Sequence, residues 1–172
     1  MIRLKTPLTI EKIKSLKAKD EILLSGTIYG VRDAAHKRLA EAIHNNENLP
    51  FDLKDAVIFY VGPSPTPPGK NSGAIGPTTS ERMDKFTEPL LKKGIRATIG
   101  KGDRSPQVKD LMKKYGSIYL TVAGGISALL ASKIKEIKTI AYEDLGPEAV
   151  FKIKVKDFPL FVAYDLEGND IF

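Results

Sequence analysis

The chain has 172 residues, 42% of them hydrophobic and 28% charged, which is enough for one well-packed domain with its own core. It contains no cysteine, so it forms no disulfide and offers no thiolate to a metal, and its two histidines, His36 and His44, lie on one predicted helix at a separation that is not ligand spacing. The formal charge of +6 comes with lysines scattered along the whole chain beside apolar residues, the pattern of a solvated surface, with no aromatic-interleaved RNA motif and no helix-turn-helix signal.

In chain order, the first twenty residues are broken by charge too often for a signal peptide, and no apolar run reaches the length of a membrane span. These features predict a cytoplasmic chain with neither a membrane nor a nucleic-acid partner. EILLSGTIYGVR, 21–32, alternates as a strand, and 33–46 follows as a helix with Ala35, Leu39 and Ile43 on one stripe and Asp33 as its cap. AVIFYVG, 56–62, predicts a buried strand. The proline-rich and glycine-rich stretch 63–77 then reads as a long binding loop or lid.

A helix over 80–94 closes at Gly94, and Pro89 predicts a kink or an early stop within it. IRATIG, 95–100, is a strand, 105–116 a helix with proline in its first turn and glycine after it, and SIYLTVAG, 117–124, another strand. GISALLASKI, 125–134, predicts a short helix. Strands follow over 138–144, 150–157 and 160–172. Strands alternating with helices predict a single α/β domain over 1–172, with a mixed sheet, or two sheets, and flanking helices.

The chemistry gathers at the turns after the strands. GVRDAAH brings Arg32 and Asp33, GAIGPTTSER brings Thr78, Thr79 and Arg82, GKGDRS brings Lys101 and Arg104, and AGGISA places two glycines at a helix start. Glycines let backbone N–H groups approach a ligand, helix starts carry free N–H groups, and arginines grip carboxylates with two parallel bonds, so the set predicts a receptor for a small anion. It is neither a P-loop nor a dinucleotide fingerprint. Each feature also has a structural reading: Arg32 and Asp33 as a surface pair, Thr78 and Glu81 as a capping box, Lys101 as a solvated turn residue, His36 as a core group.

GVRDAAHKR, FYVGPSPTPPGKNSGAIGPTTSERMD, IGKGD and VAGGISALL, in this order and followed by FPLFVAYDLEGNDIF, strongly resemble the C-terminal domain or β subunit of class I, iron–sulfur-dependent fumarases. The related L-tartrate dehydratases carry the same module. The resemblance implies a swivelling β/β/α architecture that closes over a 4Fe-4S cluster held by a separate, cysteine-bearing α part, and hence a hetero-oligomer acting on a small dicarboxylate. It implies a hydro-lyase that interconverts fumarate and L-malate. An L-tartrate dehydratase β subunit, or an anion-binding module that kept the fold without catalysis, are the alternatives.

By the same resemblance, Arg32 and Arg82 hold substrate carboxylates, Lys101 contacts substrate, and Thr78 transfers or orients a proton. From the residues themselves, Asp33 is expected to orient Arg32, with His36 and Thr79 also behind the substrate-facing groups, and no residue of this chain is expected to ligate a metal.

Overall fold

The computed structural model describes residues 1–61, 78–122 and 127–172. Its strands are β1 (Ile2–Lys5), β2 (Glu21–Gly30), β3 (Val57–Phe59), β4 (Ala97–Gly100), β5 (Ile118–Val122), β6 (Ile134–Ala141) and β7 (Val150–Tyr164). The helices are α1 (Ile10–Ile13), α2 (Asp33–His44), α3 (Asp84–Lys92), α4 (Pro106–Tyr115) and α5 (Ser127–Ser132). All seven strands join one mixed sheet in the order β1-β2-β3-β4-β5-β7-β6. Strands β1 to β5 run parallel to their neighbours, and β7 runs antiparallel to β2, β5 and β6. Because β7 pairs with both β2 and β5, strands β2, β3, β4, β5 and β7 close into a ring. Among the described residues no helix is long and apolar enough to cross a membrane.

Alternation along the strands divides the core in two. Val57, Phe59, Ala97, Ile99, Ile118 and Leu120 point into the ring, where they meet Ile28, Ile153, Phe158 and Val162. The intervening Ile58 and Tyr60 face α2 and α3, and Tyr119 faces Val108 and Met112 of α4. Both faces of these short parallel strands are therefore buried, which is why the sequence there reads as unbroken apolar runs.

Several boundaries differ from the sequence reading. The predicted strands over 150–157 and 160–172 are one strand, β7, 15 residues long and ending at Tyr164. The polar step at Lys156 and Asp157 is a bulge and not a turn: Asp157 has φ of 51°, its N–H donates to Ser25 Oγ at 3.0 Å, and Pro159 still sits opposite Leu23. After Tyr164 the chain turns because the Asp165 carboxylate accepts the N–H groups of Glu167 and Asn169. Strand β6 begins at Ile134, earlier than the predicted 138, and α5 is shorter than predicted at its described end. Strand β1, a four-residue edge in which Ile2 and Leu4 alternate with Arg3 and Lys5, is not among the predicted strands.

The helices show similar differences. Arg32, and not Asp33, stands at the N-cap of α2, where no side chain makes a capping bond. The buried stripe of α2 is Ala35, His36, Leu39 and Ala42, with Ile43 only half-buried. The helix predicted from residue 80 begins as a 3-10 turn, Ser80–Met83, and becomes α-helical at Asp84. Pro89 lies inside α3 without ending it, because burial of Leu90 and Leu91 offsets one missing intrahelical bond; Gly94, at φ of 101°, ends the segment as predicted. Helix α4 matches its prediction, with Ser105 Oγ accepting from the Val108 N–H at 3.3 Å and Gly116 left-handed at φ of 70°.

Gly100 allows the 3-10 turn to lie directly on the end of β4. A Cβ there would run into Ser80 Oγ and come within 2.8 Å of Tyr60 Cδ2. Gly100→Ala should therefore lower the unfolding free energy by about 1–3 kcal/mol in chemical denaturation, the usual cost of overpacking a tight site. An unchanged denaturation midpoint would show that the turn is not held against the strand.

Candidate functional site

Parallel strands present their C-terminal ends at one edge of a sheet, the edge where α/β folds place their ligands. Three turns leave that edge here. Beyond β2 lie Arg32, Asp33 and His36; beyond β3 the chain returns at Thr78; beyond β4 lies Lys101. The predicted contributions of GAIGP and of AGG, within 62–77 and 123–126, lie outside the described residues.

Thr78 and Lys101 are brought together by main-chain bonds. The Thr78 N–H donates to the Tyr60 carbonyl at 2.8 Å, and Thr79 bridges Lys101 in parallel, so the returning chain prolongs β3 beside β4. Ser80 N–H donates to the Lys101 carbonyl at 3.0 Å and Lys101 N–H to the Thr78 carbonyl at 3.4 Å. The Thr78 hydroxyl also donates to the Tyr60 carbonyl, at 3.1 Å. It therefore caps nothing, and the capping-box reading with Glu81 falls. The side chains of Thr79 and Lys101 are exposed.

A second group forms around one carboxylate oxygen. Asp33 Oδ1 accepts from Arg82 Nη2 at 3.1 Å and lies 4.0 Å from Arg32 Nε. Asp33 was expected to orient Arg32, yet its closer partner is Arg82. Arg32 Nε is buried and has no hydrogen-bond partner among the described residues. The free N–H groups expected at the start of α2 are partly taken, since the Ala34 N–H donates to Glu148 Oε1 at 3.2 Å.

His36 and Tyr60 connect the two groups. His36 Nδ1 lies 3.0 Å from the Arg32 carbonyl, which can only accept, so the imidazole proton sits on Nδ1. The ring meets that of Tyr60 edge-on at 5.2 Å, and the Tyr60 carbonyl holds Thr78. Burial is the main cause that pushes the His36 pKa down to about 4, against the raising effect of the Arg32 carbonyl, so the ring is neutral at pH 7.

Arg104, grouped by the sequence with the anion receptor, is turned away from it. Its guanidinium spends three of its five N–H donors on Asp84 Oδ1 at 2.6 Å, Thr98 Oγ1 at 3.1 Å and Thr87 Oγ1 at 3.1 Å, and its side chain has no exposure through which to meet a ligand. Sequence reasoning also missed Tyr60, Ser80 and Tyr119. The available signal was a tyrosine inside each of two apolar strands, AVIFYVG and SIYLTV, whose polar tip needs a partner once buried. Burial raises the Tyr119 pKa, so its hydroxyl keeps its proton and can donate.

A groove of about 960 Å³ between the start of α3 and α4 touches the site only at Asp33 and Arg82. It contains neither Thr78 nor Lys101, and its mixture of carboxylates and cations suits no ligand of one sign.

The family described as Fumarase C-terminus matches residues 1–172. The chain is 42% identical over 165 residues to the aerobic class I fumarate hydratase of Escherichia coli strain K12, a match covering 95% of this chain and 30% of that protein. It is 44% identical over 153 residues to fumarate hydratase 2 of Leishmania major, covering 88% of this chain and 27% of that one. It is also 32% identical over 173 residues to the L(+)-tartrate dehydratase subunit beta of Shigella sonnei strain Ss046, covering 98% of this chain and 85% of the subunit. The chain thus spans under a third of the fumarate hydratases it matches and most of the tartrate dehydratase subunit.

The buried, neutral His36 makes a pH prediction. Its folded pKa, about 4, lies below its ordinary 6.5, so the unfolded chain binds the proton first as pH falls. The stability from keeping it neutral is complete above pH 6.5 and is lost on the way down to about pH 4. Between pH 6.5 and 5, where ordinary carboxylates hardly titrate, the unfolding free energy should drop by about 2 kcal/mol, and His36→Gln should flatten the profile in that window. Equal slopes in the two proteins would place the ring in water.

Proposed function

The chain belongs to the fumarase C-terminus family, and from that premise we propose that it is the β subunit of a class I hydro-lyase that interconverts fumarate and L-malate. The observation that carries this reading is the gathering, at one sheet edge, of Thr78 beside Lys101 and of Arg32 and Arg82 around Asp33. Identity does not choose the substrate: the fumarate hydratases are 38% to 44% identical to this chain, the putative tartrate dehydratase subunit beta of Methanocaldococcus jannaschii 39% and the Shigella sonnei subunit 32%, and we take fumarate as the first reading. The near full-length match to that subunit supports a separate β chain, and it keeps L-tartrate as the second reading.

The residues of this chain do not fit an iron–sulfur cluster. There is no cysteine in the sequence, and among the described residues no three His, Asp or Glu side chains gather to hold an ion. In our reading the 4Fe-4S cluster belongs to a companion, cysteine-bearing α part, and this chain supplies the groups that grip and orient the dicarboxylate.

Removing a proton from carbon beside a carboxylate drives negative charge into that carboxylate, and cations already aimed there stabilise it. Arg32 and Arg82 hold the two carboxylates by paired N–H donors, the substrate replacing Asp33 on Arg82. Lys101 adds a third cation. The Thr78 hydroxyl proton points to the Tyr60 carbonyl, which leaves the oxygen lone pairs toward the substrate side. In that orientation the neutral hydroxyl oxygen accepts a hydrogen bond from the substrate and so orients the reacting carbon.

The test is co-expression with a cysteine-bearing α chain, anaerobic reconstitution of the cluster, and assay with fumarate, L-malate and L-tartrate. The pure β chain should be folded, colourless and inactive, with activity appearing only in the complex. In the complex, Arg82→Lys should keep the charge, lose the planar fork and lower kcat/KM at least about tenfold. Wild-type kinetics for both Arg82→Lys and Arg32→Lys would remove the clamp. Thr78→Ala should lower kcat at least about a hundredfold with a small change in melting temperature, Thr78→Ser should recover most of it, and Thr79→Ala should be milder. A larger effect from Thr79→Ala would move the substrate-orienting role one residue along.

A further inference from the structure

The turn that carries Lys101 is held from one side by a buried tyrosine. Tyr119, on β5, has no solvent exposure, and its hydroxyl lies 2.7 Å from Ser80 Oγ and 2.7 Å from the Gly102 carbonyl oxygen. A carbonyl only accepts, so the tyrosine proton goes to Gly102 and Ser80 donates to the tyrosine oxygen. Ser80 is also fully buried and directly follows Thr78 and Thr79, while Gly102 directly follows Lys101. One phenol oxygen thus ties together the two segments that carry the exposed Lys101 and the half-buried Thr78.

Main-chain bonds from Ser80 and Lys101 and the Tyr164 hydroxyl donating to Asp103 also hold this turn, and Tyr119 adds a side-chain brace to them. Lys101 and Gly102 are exposed, and Gly102 takes the left-handed φ of 80° with no atom near its Cβ position, so packing does not hold it. The tyrosine ring, by contrast, is fixed: it meets Tyr164 edge-on at 5.1 Å, and the Arg104 guanidinium lies 5.3 Å from its centre. It presents a hydroxyl from a rigid core to an exposed turn.

We infer that Tyr119 is a positioning residue, which holds the Lys101 turn against the Thr78–Ser80 segment and so sets the separation of the two substrate-facing groups. This rests on the reading of Thr78 and Lys101 given under Proposed function. A misplacement of about 1 Å between reacting groups costs on the order of a hundredfold in rate, so loosening one of two rails is expected to cost about tenfold.

Tyr119→Phe keeps the ring and deletes both bonds; Ser80→Ala removes the same bridge from its other end. In the full chain, amide exchange followed by NMR should quicken at least about tenfold at Ser80 and Lys101 in Tyr119→Phe, with Leu39 in α2 unchanged. In the reconstituted complex both variants should lower kcat, Tyr119→Phe by about tenfold, with KM within about threefold of wild type. In a Lys101→Ala background, Tyr119→Phe should change kcat less than about twofold, because nothing is left to position; a general structural role would lower it again. Unchanged exchange at Ser80 and Lys101, or a fully additive loss in the Lys101→Ala background, overturns the inference. A wild-type complex inactive on fumarate, L-malate and L-tartrate overturns the functional reading instead, and the exchange measurement then decides whether Tyr119 braces the turn.

Discussion

The buried guanidinium of Arg104 is the constraint on which the site end of the fold depends. A charge removed from water is tolerated only when it is paired and its hydrogen-bond donors are used. Here Asp84 at the start of α3 takes Nε, Thr98 of β4 and Thr87 of α3 take the two terminal nitrogens, and Asp84 also accepts the Ser105 N–H at 2.7 Å. The cation lies near the Tyr60 and Tyr119 rings, 5.1 and 5.3 Å from their centres. These partners come from every element that ends beside Thr78 and Lys101. Since the guanidinium is satisfied only when all of them are in place, they are located relative to one another by one planar group.

The rest of the frame comes from strand direction. Four neighbouring parallel strands, β2 to β5, end at the same edge, and the long antiparallel β7 ties β2 to β5 so that this edge cannot splay. Binding groups can then sit on turns without losing position. The Asp33 and Arg82 side chains, 37% and 50% exposed, form an ion pair of the kind worth at most about 1 kcal/mol in water. On the functional reading, that weakness is useful. A free carboxylate can exchange for Asp33 at little cost, whereas the buried Arg104 pair next to it cannot be exchanged.

The legibility of the sequence follows the same division between local and distant causes. Helix α4 was readable to its caps because Ser105, Pro106 and Gly116 act within one turn of the helix ends they control. Strands β3, β4 and β5 were readable as apolar runs. Strand β7 was read as two because a bulge at Asp157 and a proline look like a turn from inside the chain, and only pairing with Ser25 and Leu23 makes them one strand. The motif positions fall at one edge of the sheet, but spacing could not tell which cations face outward. Arg104 and Arg82 look alike in sequence; one is sealed by Asp84 and two threonines and the other is half in solvent. Thr78 read as a cap for a similar reason, since the competing acceptor, the Tyr60 carbonyl, lies across a loop.

This arrangement separates the side chains that hold the fold from those that face outward. Thr78 and Lys101 are located by main-chain bonds to Tyr60, to Ser80 and to each other, which survive any side-chain substitution that keeps the backbone in place. The Lys101 side chain is exposed, and the Thr78 hydroxyl shares an acceptor that its own N–H already uses. Neither therefore has much leverage on stability. Arg104, Tyr119 and Gly100 are the reverse case: all are buried, and each is matched to partners on a neighbouring element. A substitution that removes activity at Thr78 or Lys101 can be read as chemistry, because the fold was never resting on those side chains. A loss at Tyr119 has to be resolved into position and stability first, because that residue stands between the core and the site.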